Sequence, residues 1–292
     1  MTKELVAALF SGLVLGSLYA LMSMGLALVW GGLRVLNLTQ GTLYMLGAYA
    51  AVLAGRSGLS PVIGVLLAFV IIGVLGSLLY VGPVRRVSAR PDHENAVLLL
   101  TFGLATLGEY AALVAFGPQP QSVQTLVHGQ FTVVGVAFPW NSIMMIIATI
   151  MLLTLLGVVM KWTRFGLASR ALAQQADGAQ LVGINRHRTS MLIFGISSGL
   201  AGVGGVLLSS YYFVTPYIGQ NYLLLALIVT ILGGLGSMSG TLYAAFLVGL
   251  IQAISSLYLG TRWSLPLLFA VIIGVLIVRP TGIAGRVAQE RL

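Results

Sequence analysis

"ALIVTILGGLGSMSGTLYAAFLVGLIQ", residues Ala226 to Gln252, contains two apolar runs separated by a glycine- and serine-bearing break at 233–240. The second run continues without charge to residue 259 and suits a bilayer-spanning helix, which needs about 20 residues. The first, 222–236, is short of that length and reads as a broken or re-entrant helix. Irregular backbone at membrane depth survives only where protein buries it or where it lines a water-filled cavity. The break therefore marks a point where the chain does more than cross lipid.

The rest of the chain agrees. Hydrophobic residues make up 58% and charged residues only 7%, against about 25% charged in soluble domains, so the chain lacks the polar surface that water requires. Further apolar segments lie near 5–30, 38–55, 60–82, 96–117, 141–161, 189–212, 240–259 and 264–279. The expectation is an all-α, polytopic transmembrane bundle of eight or nine spans with broken helices, forming one domain over 1–292. The first apolar run has no small-residue cleavage site and reads as a helix, not a signal peptide. Gly12/Gly16 and Gly195/Gly199 have the spacing that lets helices approach closely in lipid. Gly-Thr-Leu-Tyr occurs twice, at Gly41–Tyr44 and Gly240–Tyr243. Both copies are expected to open helices rising from the same side after a break.

Charge sets the orientation. The net charge is +9, which in a membrane chain reads as the lysine and arginine excess of the cytoplasmic loops, not as a nucleic-acid surface. Arg34, the run Arg85–Arg90, the loop Lys161–Arg188 and the tail Arg279–Arg291 gather on one side, and the other keeps Lys3, Arg56 and Arg262. This places the first group and the C-terminus in the cytoplasm and the N-terminus outside. The connection 117–140 carries no lysine or arginine, as a translocated loop should, and its alternation over Gln130–Phe138 suits a short strand or a lid. Trp140 and Trp263 are expected at the outer interface.

Catalytic patterns are scarce. There is no cysteine, and His93, His128 and His187 lack metal-ligand spacing. The only lysines, Lys3 and Lys161, do not follow a phosphate-cradling glycine loop. Glu109 is the one carboxylate at membrane depth. Such groups are costly in lipid, and Glu109 reads either as a pathway or proton residue or as a carboxylate bonded to its neighbours. The segment Lys161–Ser190 is more informative. Ala168–Val182 suits an alanine-rich helix with Gly183 as its stop, and so few charges favour insertion into a groove on a partner protein.

At this segment the chain begins to resemble a family. "TRFGLASRALAQQADGAQLVGIN" with "FGISSGLAGVGGVLL", the glycine-rich 226–252, "RVLNLTQGTLYMLGAYAA" (Arg34–Ala51) and "RPTGIAGR" (Arg279–Arg286) together resemble permeases of branched-chain amino-acid ABC importers. The resemblance implies an inner-membrane translocation subunit, not an enzyme, working beside a second homologous permease, two cytoplasmic ATPases and a periplasmic substrate-binding protein. ATP and Mg would be bound by those ATPases, with no cofactor in this chain. It also implies a coupling segment within 162–188, with Arg170, Ala171, Asp177, Ala179 and Gly183 facing the ATPase. Asn37, Gln40, Gly41, Tyr44, Glu109, Gly233, Gly234 and Gly240 are the expected pathway positions. Where the family often has histidine before the first glycine, this chain has Gln40, which leaves the cargo open: branched-chain amino acids, or urea, short amides or aromatic acids. An ion-coupled transporter using Glu109 is the reading from another class.

Overall fold

The structure, a computed structural model, describes residues 2–88, 93–123, 129–133 and 135–285. Arg90, His128, Arg286 and Arg291 lie outside these residues. Long runs of Leu, Ile, Val and Ala offer the backbone no polar side chains in lipid, so each N–H pairs within its own segment and the chain becomes helical. In order come α1 (Thr2–Leu33), α2 (Thr39–Arg56) and α3 (Pro61–Leu79), which runs through a π-helical turn, Tyr80–Val84, into α4 (Arg85–Val87). Then follow α5 (His93–Phe116), a hairpin of β1 (Gln130–Val133) and β2 (Val136–Pro139), and α6 (Trp140–Trp162). The remainder is α7 (Arg164–Gln174), α8 (Ala176–Leu181), α9 (Arg186–Ser209), α10 (Ile218–Gly233), α11 (Met238–Leu259) and α12 (Thr261–Val278).

Seven stretches among the described residues are long and apolar enough to cross a membrane: α1, α3 through α4, α5, α6, α9, α11 and α12. The expectation of eight or nine turns on α2 and α10. α10 has 16 residues, and α2, with 18, is not among the seven.

Helix α9 is the hub, and small residues explain why. A Cβ on Gly195 or Gly199 would collide with Ser77 or Phe69 of α3, and one on Gly205 would lie 1.9 Å from the Tyr44 carbonyl oxygen of α2. α1 and α11 pack in the same way, with Gly12 against Leu250 and Gly16 against Phe246. The glycine pairs thus pack helices as their spacing predicts. Several buried hydroxyls are satisfied within their own helices, as where Ser17 donates to the Leu13 carbonyl and Ser23 to the Tyr19 carbonyl.

Three expectations change in detail. First, the region 130–139 is an antiparallel hairpin, pairing Gln130 with Pro139 and Val133 with Val136, and Phe138 sets its ring edge-on to Phe10 of α1 at 4.5 Å. Second, Ala168–Val182 is two helices. Gln175 is extended (φ −156°, ψ 106°) between α7 and α8, and the bend lets Ser169 and Leu172 of α7 and Ala179 of α8 all be buried. Third, the two Gly-Thr-Leu-Tyr copies differ. Tyr44 is fully buried whereas Tyr243 is 69% exposed, because α2 opens inside the bundle and α11 at its end.

The basic segments share one end of the bundle. Gly31 of α1 lies against Gly236, and Gly32 faces Ser169 of α7, so Arg34, the α7–α8 segment and the α10–α11 turn are neighbours. Lys3 sits beside Gly135 and Arg56 donates to Gln121, both at the opposite end.

Candidate functional site

The expected pathway residues fall into two groups. The first surrounds the start of α2. After α1 ends, 34–38 turns back into the bundle, with Arg34 at φ +54°. Thr101 of α5 accepts the Leu38 N–H at 3.2 Å. Asn37 is fully buried, and its side-chain oxygen accepts the Thr39 N–H, satisfying one of the donors that a helix start leaves open. Its amide nitrogen has no partner. Gln40 donates to the Ser197 carbonyl at 3.1 Å, and its Oε1 accepts from the Ser197 hydroxyl at 3.1 Å. That hydroxyl is also 2.9 Å from the Gly25 carbonyl of α1. Ser197 is halfway along α9, so α2 begins at mid-depth and Gln40 ties it to α1 and α9. The Gln40 side chain is thus engaged in a helix clamp.

Gly41 crosses α10 so closely that a Cβ would lie 2.7 Å from the Gly219 carbonyl oxygen. Gly41 and Glu109 line one cavity of about 210 Å³ between α2, α5 and α10, with Thr42, Thr106 and Gln220 as its other polar residues. Glu109 is half-buried, and no described cation pairs with it. Tyr44 stacks on Tyr222 with centroids 6.0 Å apart, and Tyr19 and Tyr212 lie 6.3 and 6.1 Å from Tyr222. The Tyr44 hydroxyl is buried without a partner. Tyr212 lies between spans. Burial raises its phenol above the ordinary value, partly offset by the hydrogen bond with Tyr222, so it stays protonated at neutral pH. Sequence reading missed Tyr19, Tyr212, Tyr222 and Ser197, because they come from separate elements with no shared motif.

The second group is at the basic end. Gly233 and Gly240 cross at the α10–α11 turn, and Gly234 (φ +99°) meets the tail at Gly285. Ile283 and Ala284 donate to the Leu232 and Gly233 carbonyls. These glycines therefore pack a turn against the tail, and they do not meet Asn37 or Gln40. The turn does border a cavity of about 810 Å³, lined by Met24 and Gly31 of α1, Ser169, Arg170 and Gln174 of α7, and Gly236 and Ser237. The structure thus brings Arg170 to the glycine- and serine-bearing break at 233–240.

The expected partner-facing segment is held firmly where it leaves the bundle. Thr163 caps α7 by accepting the Gly166 N–H, and Arg170 donates to the Met160 carbonyl of α6. Asp177 lies exposed in the first turn of α8, where the helix dipole favours a negative charge. Ala171 is half-buried and Ala179 buried. Gly183 (φ +86°) closes α8, and Ile184 donates to the Ala179 carbonyl. Leu167, Leu181 and Val182, outside the spans, are 63%, 88% and 76% exposed.

The sequence comparisons complete the picture. The family described as "Branched-chain amino acid transport system / permease component" matches residues 8–276. The high-affinity branched-chain amino acid transport system permease protein LivH of Salmonella typhimurium is 31% identical, over 97% of this chain and 96% of its own. LivH of Escherichia coli is 30% identical over the same shares, and BraD of Pseudomonas aeruginosa 29% over 97% of each. No solved structure matches. A membrane-embedded helical bundle built around small-residue crossings, matched along nearly its whole length, belongs to the family of branched-chain amino acid transport system permease components.

Proposed function

We propose that this chain is the translocation subunit of an ATP-binding-cassette importer that carries branched-chain or related amino acids into the cytoplasm by alternating access. ATP, with Mg, is hydrolysed on two partner ATPases, a second homologous permease completes the pathway, and a periplasmic binding protein delivers the cargo. The near-complete match to permeases named for branched-chain amino acids supports the cargo. The basic end is the cytoplasmic end by the excess of lysine and arginine there, which puts the N-terminus outside and the C-terminus inside an inner membrane. The whole chain works as one domain, with 162–188 as its coupling segment.

The observation that carries this reading is the exposed apolar edge of α8. On the spans, exposed leucines and valines face lipid. Leu181 and Val182 lie outside every span, where lipid tails would not cover them, and offer an apolar contact to a partner protein. The ATPases would grip this edge, with Asp177 and Gly183 setting its shape. Arg170 and Ser169 link it to the 810 Å³ cavity beside the α10–α11 turn, so a push on α8 reaches the pathway through α7. Gly183→Ala places a side chain at φ +86°, a strained conformation for any residue but glycine. It should leave insertion intact while uncoupling ATP hydrolysis from uptake. Normal ATP-driven leucine uptake by that variant would count against the role of this segment.

A further inference from the structure

The basic end has a second cavity that the transport reading does not use. It measures about 190 Å³ and is lined by Tyr80, Val84 and Arg85 after α3, by Arg186, His187, Ser190 and Phe194 of α9, and by Gln180 of α8. A water's share of liquid volume is about 30 Å³, so the space suits a group of several heavy atoms. We infer that this pocket binds a phosphate group, presented by an anionic phospholipid of the leaflet at the basic end.

Four features support this. Arg186, His187 and Ser190 belong to the first two turns of the 24-residue α9, whose positive dipole end attracts anions although Asn185 already accepts the Arg188 N–H. Arg85 reaches the same cavity from the neighbouring helix, and no carboxylate of a described residue pairs with Arg85 or Arg186. Ser190 is fully buried, lines the cavity, and its hydroxyl has no hydrogen-bond partner. A buried hydroxyl left unpaired is costly, and a phosphate oxygen would accept from it. Finally, the π-helical turn Tyr80–Val84 absorbs Pro83, which has no N–H to donate, and delivers Arg85 to the rim. Basic pockets between helices on the cytoplasmic side are one known way to hold anionic lipid headgroups. Leu78 and Val81, 61% and 44% exposed on the adjoining turns, offer the acyl chains a lipid-facing path. With Gln180 on its rim, an occupied pocket would brace α8 against α3 and α9.

The test uses the assembled transporter, delipidated in detergent. Retention of dioleoylphosphatidylglycerol and of phosphatidylcholine is measured by native mass spectrometry, and radiolabelled inorganic phosphate is offered separately. Each lost charge-assisted hydrogen bond changes affinity by about tenfold. Arg85→Gln with Arg186→Gln should therefore lose phosphatidylglycerol by at least that factor. Ser190→Ala, which removes one hydroxyl from a buried site without touching charge, should weaken it to a lesser degree. Preferential retention of phosphatidylglycerol that inorganic phosphate does not displace supports the lipid as source. Binding of inorganic phosphate alone, lost in the same variants, supports the phosphate site but makes the free anion its ligand. Equal retention of both lipids with no phosphate binding, or unchanged binding in the variants, overturns the proposal. None of these readouts depends on transport, so they stay independent of the proposed cargo.

Discussion

At the scale of single residues, Gln40 and Gly205 make opposite contributions to one junction. Gln40 joins α2 to α9 and, through Ser197, to α1. Hydrogen bonds between membrane helices are worth about 0.6 kcal/mol on average and up to about 1.7. Gln40→Leu should therefore lower stability by about 1 kcal/mol, read as a drop of a few degrees in the Tm of the purified protein. A larger loss would show that α2 depends on this clamp more than its hydrogen bonds explain. Gly205 contributes by having no side chain, since its α2 neighbour occupies the space where a Cβ would stand. Gly205→Ala should cost about 1–3 kcal/mol by overpacking. Gly103→Ala on α5, where nothing lies within 4 Å, should change stability by no more than about 0.5 kcal/mol. Equal Tm values for these two alanine variants would contradict the packing described here.

At the scale of elements, the α7–α8 segment gives the sharpest prediction. Leu181→Asp with Val182→Asp places charge on an edge that is already solvent-exposed in the isolated chain, so the fold should persist. Recovery of the partner ATPases on affinity-purified chain should fall about tenfold or more, as when an apolar anchor is lost from an interface. Unchanged ATPase recovery would mean that they grip elsewhere. Much of this element was legible in sequence. Gly183 marked its end, and the low charge of 168–182 is the basis for proposing that it faces a partner. The bend at Gln175 was not legible, because the alanines and glutamines on either side favour helix equally well. Only the need to bury both Leu172 and Ala179 against the bundle breaks the run. The break at Asn37 showed as polar residues between apolar runs, yet its mid-membrane depth depends on Ser197, 157 residues away from Gln40. The glycines at 233, 234 and 240 were legible as a break but not as a turn packed on the tail, since that contact joins distant parts of the chain.

At the scale of the whole molecule, the bundle has two specialised regions joined by α9 and α7. Inside, α2 and α10 meet at Gly41 and Gly219 beside tyrosines from α1, α2 and α10. At the basic end, α7 spans the distance between the exposed edge of α8 and the cavity at the α10–α11 turn. Composition alone was enough to identify the membrane class, and the glycine spacings foretold the close crossings. The tyrosine cluster, assembled from residues 19, 44, 212 and 222, exists only in three dimensions. The central claim is that this chain moves amino acids only as part of an ATP-driven complex. It is tested most directly by leucine uptake into proteoliposomes containing the chain with its second permease, ATPases and binding protein, compared with the chain alone. The account predicts ATP-dependent accumulation by the complete assembly, none by the chain alone, and loss of uptake when Leu181→Asp and Val182→Asp are introduced together. Uptake by the chain alone, driven by an ion gradient and abolished by Glu109→Gln, would contradict it.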